Sequence, residues 1–138
     1  MNEKKMTLIS ELEEIMRFFI KEFRRDLNDR LGEEFTGSEF AFLRAIRENS
    51  NQNVSSLAST LNVSNSHATS IMDRLTEKNL MVRNRSEKDR RVVVFELTEE
   101  GERIFHQLND KRTDYLNQRF QKLSVEELNE LIRVFNKL

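Results

Sequence analysis

Between Met6 and Arg30 apolar side chains recur at three- and four-residue intervals, at Leu8, Ile9, Leu12, Ile15, Phe19, Phe23, Leu27 and, just beyond, Leu31. This is the period of a helix that buries one face, and at 1.5 Å per residue the predicted rod is roughly 37 Å long. Thr36-Gly37-Ser38-Glu39 then has the form of a capping box, in which Thr36 accepts the amide of Glu39 while Glu39 reaches back. It opens a second predicted helix, to about Glu48, with Phe40, Leu43 and Ile46 inward, and the polar run Asn49 to Asn53 ends it.

Ser55 or Ser56 is placed to start a short third helix through Leu57, Ala58 and Leu61, after which Asn62 stands where the chain must turn sharply. Asn tolerates the left-handed conformation that such a turn needs. Ser64 caps a fourth helix with Ala68, Ile71, Met72 and Leu75 inward, ending near Asn79, again an Asn where Gly would be usual. Two apolar runs, Leu80 to Val82 and Val92 to Leu97, flank the polar stretch Arg83 to Arg91 and predict a hairpin with a long tip. Thr98-Glu99-Glu100-Gly101 opens a fifth helix, with Ile104, Leu108, Tyr115, Leu116 and Phe120 inward and its two glutamates at the positive end. Ser124 to Glu127 form a second capping box before a last helix through Leu128, Leu131, Ile132 and Phe135. The expected class is mainly α with one small β-hairpin.

Composition narrows the chemistry. The 138 residues include three Gly and neither Pro nor Cys, a size that suits one domain or two closely merged ones. Without cysteine there is no disulfide, thiol redox switch, iron–sulfur cluster or thiolate zinc site. Three glycines leave little room for phosphate-cradling loops, and no His-Glu-x-x-His run or nucleophile elbow occurs. Neither an enzyme nor a cofactor is therefore expected. The two histidines are His67 and His106; a site of His106 with Glu102 or Asp110 has a spacing that arises readily by chance, so no metal is expected. No apolar run exceeds four residues, which suits neither a membrane span nor a signal-peptide core and points to a cytoplasmic protein with no membrane partner.

The formal net charge of -1 conceals where the charges lie. Residues 55–91 hold 7 basic and 4 acidic side chains, while both flanking segments are net acidic. Within that middle segment residues 55–72 are uncharged, and every basic group follows: Arg74, Lys78, Arg83, Arg85, Lys88, Arg90 and Arg91. Two short helices joined by a tight turn, then a hairpin with a basic tip, form a winged helix-turn-helix. A helix enters the DNA major groove only where its leading residues are short, and Ser64-Asn65-Ser66-His67 meets that demand. Opposite the inward positions lie Asn65, Ser66, Thr69, Ser70 and Arg74, the candidate DNA contacts beside Ser64; Asn65 suits an adenine edge and Thr69 a thymine methyl. The plain alternative is a polar face turned to water.

These residues resemble the MarR family of bacterial transcriptional regulators over nearly the whole chain. The matching pieces are Phe35-Thr36 with Glu39 to Leu43, Leu57 to Ser64, Met72 to Leu75 and Leu80 to Arg85. The most specific is Asp89-Arg90-Arg91 leading into Phe95-Glu96-Leu97-Thr98-Glu99-Glu100-Gly101. Asn62 and Asn79 depart from the pattern, since such proteins commonly place Gly there. The resemblance implies a sequence-specific DNA-binding transcription regulator, most often a homodimeric repressor on a pseudo-palindromic operator in double-stranded DNA. In the wing, a guanidinium on a protruding hairpin suits the narrow, negative minor groove. The resemblance implies that a second Arg is held by carboxylates, giving Arg90 at the tip and Arg91 braced by Asp73 or Asp89, with the two arginines' roles open. Arg85 and Lys88 complete the candidate wing contacts. The plain alternative is a solvated turn with one surface ion pair worth under about 1 kcal/mol.

The terminal helices, in residues 1–34 and 102–138, present more apolar stripe than a winged lobe over residues 35–101 can cover. A second copy of the chain is the economical cover, and an intramolecular bundle is the competing reading. The resemblance also implies a small, frequently phenolic effector in the crevice between the two parts. Phe18, Phe19, Phe23, Phe40 and Phe42 are candidates to line its pocket, and the same residues would serve as ordinary core. The rival from another class is a winged-helix protein-interaction module without specific DNA binding, suggested by the modest basic excess and the uncharged residues 55–72.

Overall fold

The computed structural model describes residues 2–49 and 52–138. Six helices and one hairpin follow in the order α1 (Glu3–Leu31), α2 (Gly37–Glu48), α3 (Val54–Thr60), α4 (Asn65–Glu77), β1 (Met81–Arg85), β2 (Val93–Leu97), α5 (Glu99–Phe120) and α6 (Val125–Phe135). Both capping boxes read from the sequence form, at Thr36 with Glu39 and at Ser124 with Glu127. Asn62 and Asn79 both take the left-handed conformation, with φ of 53° and 63°. The cap of α3 differs from expectation: Asn53, rather than Ser55 or Ser56, accepts the Ser56 amide at 2.7 Å and starts the helix one residue earlier. An Asn side chain caps as well as Ser, so composition alone did not separate the candidates.

The strands pair antiparallel, Met81 opposite Leu97 through Arg85 opposite Val93. β1 therefore runs on through Arg83, Asn84 and Arg85, which had been assigned to the polar tip. Beyond Met81 every residue of β1 is exposed, so both faces of the strand meet solvent there and it needs no apolar run. Gln52 adds an isolated bridge to Phe95, whose N–H donates to the Gln52 carbonyl at 3.0 Å.

The core lies within the lobe formed by α2, α3, α4, the hairpin and the start of α5. Phe42, Leu43, Leu57, Ile71, Met72, Leu75 and Met81 are fully buried there. Phe105, absent from the inward set read for α5, is buried and stacks on Phe40, with ring centroids 5.4 Å apart. That stack joins α5 to the lobe. Further along, α5 runs beside α1, where Tyr115 packs on Phe23 and Phe120 on Phe19. The Tyr115 hydroxyl donates to Asp26 at 3.3 Å, and Arg119 pairs with Glu22 at 3.5 Å.

Beyond this contact the apolar stripe of α1 is uncovered. Leu8, Leu12, Ile15 and Phe18 are all more than half exposed, and α6 has no buried residue although Ile132 and Phe135 lie on one face of it. Among the described residues no helix is long and apolar enough to cross a membrane.

Candidate nucleic-acid interface

α4 divides cleanly into two faces. Ala68, Ile71, Met72 and Leu75 are buried in the core, whereas Asn65, Ser66, Thr69, Ser70 and Arg74 are exposed. Ser64 caps the helix by accepting the His67 amide at 3.0 Å. Its first turn carries no acidic residue, unlike those of α5, with Glu99, Glu100 and Glu102, and α6, with Glu126 and Glu127. The positive end of the α4 dipole is thus left unneutralised, which favours the approach of phosphate.

Asp73, half-buried on α4, binds Arg83 of β1, whose guanidinium also lies 5.8 Å from the centre of the Phe95 ring. This contact fastens the root of the wing to α4. The sequence had offered Asp73 or Asp89 as the brace for Arg91, and the structure separates them. Arg91 is held by Asp89, with Nε at 3.1 Å from Oδ1 and Nη2 at 3.2 Å from Oδ2. Asp73 faces Arg83 instead, because β1 extends far enough to bring that side chain alongside α4. Hydrogen bonding from the Arg91 side chain, then from its backbone, holds the Asp89 carboxyl below its ordinary range.

Around the tip, the Ser86 amide donates to the Val92 carbonyl and the Val92 amide to the Asp89 carbonyl, both at 2.9 Å. Arg85 donates through Nη1 to the Arg90 carbonyl at 3.2 Å, so its guanidinium holds the loop. Lys88, Arg90 and Arg91 are exposed. The structure therefore brings a short-side-chain helix face and an arginine-bearing loop onto one scaffold, linked by Asp73 and Arg83. The role of Arg83 was missed from sequence, since its partner lies ten positions away on another element.

The five candidate pocket residues do not gather at one site within the chain. Phe40 and Phe42 are both core: two positions apart on a helix they point in nearly opposite directions, one to Phe105 and the other into the lobe. Phe23 packs on Tyr115, and Phe18, 69% exposed, lines a surface hollow with Phe19, Ile15 and Arg119. His106 approaches Glu102 at 3.6 Å, but no group of three metal-ligating side chains occurs among the described residues.

Comparison with known proteins agrees with this geometry. A family model described as the MarR family matches residues 35–93. Over 131 residues the chain is 36% identical to the uncharacterized HTH-type transcriptional regulator YpoP of Bacillus subtilis, covering 95% of this chain and 93% of that one. It is 30% identical over 103 residues to the HTH-type transcriptional repressor MdtR of the same organism, covering 75% of this chain and 66% of MdtR. Among solved structures, a cysteine-to-serine mutant of MarR from E. coli complexed with operator DNA superposes with a TM-score of 0.81 at 25% identity, covering 94% of each chain.

Proposed function

The chain belongs to the MarR family of HTH-type transcriptional regulators, and from that premise we propose that it is a homodimeric repressor of a pseudo-palindromic operator. In this reading α4 enters the major groove, with Ser64, Asn65, Ser66, Thr69, Ser70 and Arg74 meeting bases and backbone, and Arg90 enters the flanking minor groove. Lys88 and Arg91 contact phosphate beside it. The observation that carries the reading is the free polar face of α4 joined through Asp73 and Arg83 to an arginine-tipped loop. Operator binding by the MarR neighbour and the repressor role of MdtR support it.

Residues 1–34 and 102–138 serve as the dimerisation part and residues 35–101 as the DNA-binding lobe. Two lobes held by one dimer axis meet successive turns of the same face of the duplex, about 10 base pairs apart. A small effector, phenolic in the family pattern, releases the DNA by preferring the lobe spacing that misfits the operator. Equal affinity for both spacings would shift nothing.

The double substitution R90A/R91A tests the wing. At fixed salt it should weaken operator binding at least tenfold while the protein stays folded and dimeric, and the slope of affinity against salt should fall as phosphate contacts are lost. Unchanged binding would remove the wing from the interface.

A further inference from the structure

The C-terminal end of α4 is tied to the cap of α5 and to the segment that follows α1. On one side the Leu80 carbonyl accepts the Thr98 amide at 3.0 Å, and the Thr98 hydroxyl donates to the Asn79 carbonyl at 2.7 Å. Gly101 lies so close to the Leu80 carbonyl that a Cβ there would collide with it. This fastening to α5 is almost entirely backbone. On the other side stands Lys78, the C-cap residue of α4.

Lys78 reaches from the cap of α4 to the segment that follows α1. Its Nζ donates to the Glu34 carbonyl at 2.8 Å and to Glu39 Oε2 at 3.2 Å, and lies 4.4 Å from the centre of the Phe35 ring. Glu39 is only 3% exposed and also receives the Thr36 amide and hydroxyl. One ammonium thus joins the last turn of α4, the first turn of α2 and the exit of α1. Directly before this segment Gly32 has a φ of 94° with open space where a Cβ would stand, and α1 is further held there by Leu31, buried in the core, and by Asn28, whose Oδ1 accepts the Gly37 amide at 2.6 Å.

We propose that Lys78 is a positioning residue that sets the orientation of the DNA-binding lobe against α1, and hence the half-site spacing that the dimer accepts. The inference rests on the dimeric regulator reading above. Asn65, at the groove end of α4, lies about 20 Å from Lys78 at 1.5 Å per residue. A rotation of about 10° around the tethered end therefore displaces it by about 3 Å, close to the rise of one base pair along each strand. Losing the tether leaves the interface residues intact and loosens the distance between the two lobes.

The test uses duplexes recovered by in vitro selection with the wild-type chain, rebuilt with the half-sites moved together or apart by about one and two base pairs, together with an isolated half-site. The variants are Lys78→Met, Lys78→Arg, and Lys78→Met combined with Glu39→Gln. The double variant leaves no buried unpaired carboxylate and keeps a side chain suited to the capping box. At the selected spacing the double variant should bind at least fivefold more weakly than wild type, with a flattened preference across spacings, yet bind the half-site within twofold. Lys78→Arg should recover the wild-type spacing profile. An unchanged profile in the double variant, or equal losses on half-site and full site, would assign Lys78 a purely structural role and overturn the proposal. If the wild-type chain selects no symmetric duplex, the regulator reading itself falls, and the proposal falls with it.

Discussion

Two asparagines carry turns that glycine usually makes, at the join of α3 to α4 and at the end of α4. A left-handed residue with a Cβ costs roughly 1–2 kcal/mol unless its side chain bonds locally, as Asn can. Asn62→Ala should therefore lower stability by about 1 kcal/mol in urea denaturation, and Asn62→Gly should leave it nearly unchanged. Tyr115 offers a second probe, as the one tyrosine of the chain. Burial first, and then the neighbouring Asp26 carboxylate, raise its pKa above the ordinary phenol value. The neutral phenol is favoured in the folded state, so the stability linked to it is complete below pH about 10 and is lost as pH rises through the higher folded value. Absorbance titration should give a later midpoint in the native protein than in urea, and Tyr115→Phe should flatten the alkaline decline in stability. Residues whose role is to turn or cap, the α3 cap Asn53 apart, were legible in the sequence because their chemistry is local. Pairings such as Asp73 with Arg83 or Glu39 with Lys78 were not, because they depend on how elements meet.

The elements themselves are legible from periodicity and caps, and among the described residues all six helices and both strands occur, with α3 starting earlier and β1 running further than those signals place them. The differences have physical causes. Residues 83–85 look like loop because β1 is exposed on both faces there, and Phe105 is not distinguished by periodicity because Ile104 and four later apolar residues of α5 already define an inward face. The phenylalanines had two readings, effector pocket or ordinary core, and Phe40 and Phe42 lie in the core. An aromatic on an amphipathic helix is equally suited to core or cavity, and only tertiary contacts decide between them. At the junction of β2 and α5, Gly101 has no room for a side chain against the Leu80 carbonyl. Gly101→Ala should cost about 1–3 kcal/mol, the range for overpacking, or more, because backbone cannot yield as a side chain can. A fall in the urea midpoint with an unchanged m-value would show it.

At the scale of the whole molecule the chain leaves the N-terminal part of α1 and the apolar face of α6 uncovered. Burying a Leu, Ile or Phe side chain contributes about 1.5–3 kcal/mol, and the exposed stripe of α1 alone carries Leu8, Leu12, Ile15 and Phe18. In the proposed dimer, a second copy covering that surface would fix two α4 helices on one axis and so link self-association to the symmetry of the DNA. Leu12→Glu combined with Ile15→Glu should give monomers with a native lobe and lose operator binding at least tenfold. Sedimentation equilibrium of the wild-type chain, alone and with a selected operator duplex, is the most direct measurement. It should give two chains in free solution and two on each duplex; a single chain bound tightly to DNA would contradict the paired arrangement.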